Sequence, residues 1–208
     1  GDGGGAGVGM VRRGGGAAAR SGRKFLDPGC GYGGAGFPRD VKALAHTGRE
    51  HGYPMQVIEA VERVNEQQKS VVFEKLQRAL GGDLRGRRIA IWGLSFKPET
   101  DDMREATALV VIGRLLEAGA EVAVYDPVAM DECRRRMAGR NIRYGRTKYD
   151  IVQGADALAL LTEWKEFRMP DWPRLRATMR GDAVIDGRNI FDKQEVLAAG
   201  FRYSGIGK

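Results

Sequence analysis

The sequence predicts a long helical segment followed by an α/β domain built on a doubly wound parallel sheet, and three observations carry that prediction. The apolar residues of 54–80 fall on a single helical stripe. From residue 83 onward, short apolar runs alternate with amphipathic stretches. The 208 residues, 42% of them hydrophobic, suffice for one sizeable core together with a helical appendage.

The elements follow in chain order. Residues 1–22 contain almost no apolar side chain to bury, and fifteen of the 31 glycines fall before residue 37, so this stretch reads as a glycine-rich leader or a poorly defined segment. Residues 23–82 form the next unit. Val41, Leu44 and Ala45 mark a short helix ending near Gly52, and Pro54 stands where a helix can begin, because its missing N–H would be unpaired there anyway. Val57, Val61, Val64, Gln68, Val72, Leu76 and Leu80 then recur at three- and four-residue steps. At 1.5 Å per residue this is one helix of roughly 40 Å, closed by Gly81-Gly82. Nothing adjacent in sequence covers it, so residues 54–80 are expected to pack on another domain or to build a homodimer.

Residues 83–208 form the third unit. Ile89–Leu94, Val122–Tyr125, Ala157–Leu161 and Ala183–Ile185 read as strands buried on both faces, and Arg104–Glu117, Ala129–Ala138 and Trp172–Met179 as the helices between them. Such alternation builds a parallel, Rossmann-like sheet with helices on both sides. Gly119 closes a helix and Asp126-Pro127 ends a strand.

Composition narrows the function. The net charge of +7 is spread out: residues 1–40 hold six Lys/Arg against three Asp/Glu, 41–82 six against five, and 83–208 twenty-two against nineteen. A nucleic-acid module concentrates its charge on a stripe, so no nucleic acid is expected as partner. No apolar run approaches the roughly 18–20 residues that span a bilayer, and no secretory signal is readable. Cys30 and Cys133 alone make no disulfide framework, and a reducing, cytoplasmic setting fits best. His46 and His51 lack a third ligand at useful spacing, so no metal is expected; neither a Gly-x-Ser-x-Gly elbow nor a Walker lysine loop is present.

Three segments can carry chemistry. Gly29-Cys30-Gly31-Tyr32-Gly33-Gly34 is either a flexible turn or a loop that brings backbone N–H groups close to an anionic or sugar ligand. Gly93–Glu105 starts at the carboxyl end of the first strand, where ligands sit in such folds. There Asp102 and Glu105 have capping-box spacing, Arg104 supplies a cation, and Lys97 is either a ligand contact or a solvated lysine. Asp186-Gly187-Arg188-Asn189 lies at the same edge, either as a plain turn or as the site of an arginine that bridges a carboxylate or phosphate.

Phe25–Asp40, Asn65-Glu66-Gln67-Gln68-Lys69, Gly93–Glu105 and Asp186–Asn189 together, in this order, resemble the UDP-glucose 6-dehydrogenases of the nucleotide-sugar dehydrogenase family, in their central helix and C-terminal UDP-binding domain. That family oxidises the sugar C6 alcohol to a carboxylate with two NAD⁺, holding the aldehyde on a cysteine between the two hydride transfers. The resemblance implies a UDP-sugar substrate contacted by Phe25, Leu26, Gly29, Gly31, Tyr32, Gly33, Phe96, Lys97 and Arg188, with Arg20 reaching the neighbouring subunit's substrate. It implies NAD contacts at Phe37, Pro38, Arg39 and Arg104, and an aspartate, Asp40, assisting the catalytic water. The family's Gly-Gly-Ser-Cys-Phe-Pro-Lys-Asp reads Gly33-Gly34-Ala35-Gly36-Phe37-Pro38-Arg39-Asp40 here, so Gly36 stands at the position of the nucleophile. The family's NAD-binding domain has no counterpart in these residues, and the chain alone is expected to be inactive. A nucleotide-sugar-binding module without catalysis, a dimerisation scaffold and a dehydrogenase for another nucleotide sugar remain as alternatives.

Overall fold

The computed structural model describes residues 7–17 and 26–208. A short helix α1 (Val8–Gly15), which buries no side chain, precedes three helices: α2 (Gly36–Glu50), α3 (Gln56–Gln68) and α4 (Val71–Ala79). The α/β domain follows as β1 (Arg88–Trp92), α5 (Thr107–Glu117), β2 (Glu121–Tyr125), α6 (Met130–Arg136), β3 (Ile142–Tyr144), β4 (Ala157–Leu160), α7 (Trp172–Thr178), β5 (Ala183–Asp186), α8 (Lys193–Ala198) and β6 (Arg202–Gly205). The six strands are all parallel, in the order β3-β2-β1-β4-β5-β6, which is the doubly wound order.

Alternation along the strands explains the two layers. Ile89, Ile91, Val122, Val124, Ala157, Ala159 and Ile185 face a core shared with α4, α5 and α6, while Ala90, Trp92, Leu158, Leu160 and Val184 face one shared with α7 and α8. Both layers are closed, which is why the four inner strands read as continuous apolar runs.

The expected 40 Å helix is not continuous. It breaks at Lys69-Ser70, where the Ser70 N–H bonds back only three residues, to the Gln67 carbonyl, and α4 begins afresh at Val71. Serine followed by Val71 and Val72 is a poor helical run, because the hydroxyl competes for backbone groups and the branched side chains crowd the preceding turn. The stripe is divided with it. Val72 and Leu76 on α4 are fully buried against β4, β5 and α5, whereas Val57 and Val64 on α3 are 76% and 61% exposed. Of the two halves, the one on α3 is the exposed one.

A second correction concerns the start of α5. The capping-box spacing of Asp102 and Glu105 goes unused: the helix opens at Thr107, three residues later than expected, with Ala106 at its N-cap and no side-chain cap. Asp102 instead accepts from both the backbone and the guanidinium of Arg104. Glu105 takes a left-handed φ of 53° and turns its carboxylate toward the helical region.

Candidate functional site

The carboxyl ends of β1, β4 and β5 form one edge. After Trp92 the chain passes so close to β4's end that a Cβ on Gly93 would stand 2.5 Å from the Thr162 nitrogen. The Leu94 and Ser95 amides then donate to Asp126 at 2.7 and 3.2 Å, and the Trp164 indole donates to the same carboxylate at 3.1 Å. An acid at the end of the second strand takes a ribose in dinucleotide folds. Here Asp126 is buried and both its oxygens accept hydrogen bonds within the protein, from the amides of Leu94 and Ser95 and of Val128 and Ala129.

The glycine loop lies across this edge and is held from both sides. From the sheet, Arg188 donates through Nε to the Leu161 carbonyl (2.8 Å), through Nη1 to the Gly31 carbonyl (3.2 Å) and through Nη2 to the Phe96 carbonyl (3.5 Å), with Glu163 Oε2 at 3.3 Å from Nε. One guanidinium thus joins three loops, and two of its five N–H groups remain for a ligand. From α3, the Gln68 amide donates to the Gly29 carbonyl at 2.7 Å, and Asn65 pairs with both backbone groups of Tyr32. Cys30 points down into the core, fully buried, with burial pushing its thiol pKa up. It is not available as a nucleophile.

Between the loop and α3 lies a cavity of about 740 Å³. Gly29, Gly31, Tyr32, Gly33, Phe96 and Arg188 line one side, and Val57, Ala60, Val61 and Val64 the other. Lys97 is exposed beside it, its ammonium 5.3 Å from the centre of the Phe96 ring. Leu26 is exposed next to α1 and does not line it. Arg20 and Phe25 lie outside the described residues. On the other side of the Gly33–Phe37 turn a second cavity, about 510 Å³, is lined by Pro38, Arg39, Lys42, Arg104 and Arg136, with Glu105 as its acid. Phe37 is exposed and packs edge-on against Tyr32, ring centres 4.8 Å apart. Gly36 is the first residue of α2 and, among the described residues outside its own turn, nothing lies within 4 Å of where its Cβ would be; Asp40, one turn on, is exposed and pairs with Arg39. Among the described residues no group of three His, Cys, Asp or Glu side chains could hold a metal, and no helix is long and apolar enough to cross a membrane.

Motif reading missed Asn65, Lys69 and Glu105 as site-forming residues. The available signal was polar residues at 65, 68 and 69 interrupting an apolar stripe. Lys69, with a side chain only 3% exposed, bridges Glu66 (2.7 Å) and Glu105 (2.8 Å), and Lys42 of α2 reaches the same Glu105 at 2.8 Å. Those bonds to Lys42 and Lys69 hold the Glu105 carboxyl down at about 2. The stabilisation they give is fully present above the ordinary glutamate range near 4.5 and is lost as pH falls toward 2. Thermal melts of wild type should therefore drop more steeply between pH 4.5 and pH 2 than those of Glu105→Gln; parallel curves would mean that the lysine pair adds nothing to stability.

Fold and site together define a nucleotide-binding α/β domain of the doubly wound class, carrying a helical module that supplies half of its cavity. Residues 90–193 match the UDP-binding domain of the UDP-glucose/GDP-mannose dehydrogenase family, and residues 2–67 match its central domain. The chain belongs to that family. It is 44% identical over 202 residues to a UDP-glucose 6-dehydrogenase of Pseudomonas aeruginosa, covering 95% of this chain and 45% of that protein, and 45% identical over 204 residues to one of Rhizobium meliloti, covering 98% and 46%. Among solved structures, a UDP-glucose dehydrogenase from Pyrobaculum islandicum superposes with a TM-score of 0.82 at 33% identity, over 95% of this chain and 43% of that one. The chain thus spans less than half the length of these relatives.

Proposed function

We propose that the chain is the UDP-sugar-binding and dimer-forming part of an NAD-dependent UDP-glucose 6-dehydrogenase, working in the cytoplasm and yielding UDP-glucuronate. The observation that carries this reading is the convergence of the glycine loop, Phe96 and Arg188 on one cavity at the carboxyl edge of the sheet. Phe96 offers a ring face, the loop offers backbone groups without side chains in the way, and Arg188 and Lys97 supply positive charge for a diphosphate. The second cavity suits a dinucleotide in chemistry, since four cationic side chains line it, each held by a carboxylate (Arg39 by Asp40, Lys42 by Glu105, Arg104 by Asp102, Arg136 by Glu132) that a pyrophosphate would replace as partner. Phe37, Pro38, Arg39 and Arg104 would hold the NAD, which when bound supplies the hydride acceptor. Asp40, one turn along α2 from position 36, would orient and deprotonate the water that releases the product. A homodimer would form through the open α3 face of Val57, Val61 and Val64.

Calorimetric titration with UDP-glucose tests the binding half. A charge-assisted contact is worth about 1.5–3 kcal/mol, so Lys97→Ala should weaken binding at least about tenfold. Arg140→Ala, at an exposed turn beyond α6, should leave it unchanged. Absence of heat with wild type would overturn the reading, and equal affinities would leave Lys97 a solvated lysine.

A further inference from the structure

Asn65 stands on the last turn of α3 and is 6% exposed, an uncharged polar side chain on a helix otherwise read as an apolar stripe. Its Oδ1 accepts from the Tyr32 N–H at 2.8 Å and its Nδ2 donates to the Tyr32 carbonyl at 3.2 Å. A primary amide offers a donor and an acceptor in one rigid plane, so it engages both backbone groups of one residue as a neighbouring strand would. The residue engaged is the sole non-glycine between Gly31 and Gly34. Glu62, one turn earlier on α3, accepts from the Tyr32 hydroxyl at 2.6 Å, so the tyrosine is fixed at both ends by one helix. Gly31 crosses this amide at φ 98°, and a Cβ there would stand 3.0 Å from Asn65 Oδ1. Gly33 is equally confined, because a Cβ would come within 2.5 Å of the Glu105 carbonyl oxygen. A loop made of glycines has little shape of its own. Its shape here is imposed from outside: by α3 at Gly31 and Tyr32, and by the Arg104-Glu105 backbone at Gly33 and Gly34.

We propose that Asn65 is a positioning residue of the sugar subsite: it fixes the path of Gly31–Gly33, and through that path the backbone groups offered to the hexose, while taking no part in holding the nucleotide. The proposal rests on the reading of the 740 Å³ cavity as a UDP-sugar site. It makes α3 serve two tasks, an open apolar face and a template for the loop. The uridine diphosphate portion is assigned to the sheet edge, which Asn65 does not touch.

The test is calorimetry of the 208-residue chain with UDP-glucose and, separately, with UDP. Asn65→Ala should weaken UDP-glucose binding at least about tenfold, the loss of two hydrogen bonds that order the loop, and change UDP binding less than about twofold. Gln67→Ala, on the same turn but pointing outward, should change neither. Asn65→Asp has the same shape but cannot donate to the Tyr32 carbonyl while ionised, so it should reproduce the selective loss, and it decides the matter if the alanine variant does not fold. Equal weakening of both ligands would show a general structural role, and unchanged affinities would show no role; either result overturns the proposal. If wild type binds neither ligand, the site reading itself is wrong and the proposal falls with it.

Discussion

Incubated with UDP-glucose and NAD⁺, the 208-residue chain will release no NADH, and Gly36→Cys will not by itself start turnover. Two requirements are unmet. On the reading proposed above, position 36 would carry the nucleophile and bears no side chain, and neither cysteine can replace it: both are buried, and burial pushes both thiols up, away from the thiolate that attacks a carbonyl. Hydride transfer also needs a nicotinamide held within reach of the sugar C6, and displacement of about 1 Å can cost roughly 100-fold in rate. The second cavity offers only a charged rim for such a cofactor. Joined to a dinucleotide-binding domain, the Gly36→Cys protein should become active, and Asp40→Ala in that background should lower kcat about 10²- to 10⁴-fold. NADH absorbance checks each step. Turnover by the isolated chain that persists in Cys30→Ser would overturn this division of labour, and a joined Gly36→Cys protein without activity would overturn the enzymatic reading.

The second large effect separates the two halves of the 54–80 stripe. Leu76→Ala should cost about 2–5 kcal/mol, because a fully buried leucine leaves a cavity between α4 and the sheet. Val72→Asp with Leu76→Asp should prevent folding: two unpaired carboxylates in an apolar layer outweigh a typical stability of about 5–15 kcal/mol. Val57→Asp with Val64→Asp, on the open half, should leave stability within about 0.5 kcal/mol per site and convert a dimer to a monomer in sedimentation velocity. An unchanged sedimentation coefficient in that folded variant would remove α3 from the interface, and a folded Val72/Leu76 double variant would contradict the packing of α4.

What the sequence made legible follows from which layer each residue faces. The inner strands were readable because they are covered on both sides and therefore apolar throughout; β3 and β6 were missed because each pairs along one edge only, and Ile142-Arg143-Tyr144 and Arg202-Tyr203-Ser204-Gly205 keep polar residues toward solvent. Continuity of the long helix was over-read because periodicity records which face is apolar and does not record that α4 buries that face against the sheet while α3 leaves it exposed. In the site, Arg188 was legible as a cation at a sheet edge and the glycine loop as a backbone that a ligand can approach closely, but that the loop lies across that edge was not legible. Asn65, Lys69 and Glu105 were not, since their roles are contacts across 33, 36 and 63 residues of chain that no local spacing encodes.

The open surroundings of Gly36 bear on how catalysis is kept or lost in such a lineage. With no other described segment within 4 Å of its missing Cβ and solvent on its outer side, the position is nearly invisible to selection for stability. Glycine and cysteine codons differ by one base. If position 36 bears the nucleophile as proposed, a single transversion silences or restores it while the fold passes through generations unaltered, so that inheritance of the architecture carries no guarantee of inheritance of the reaction.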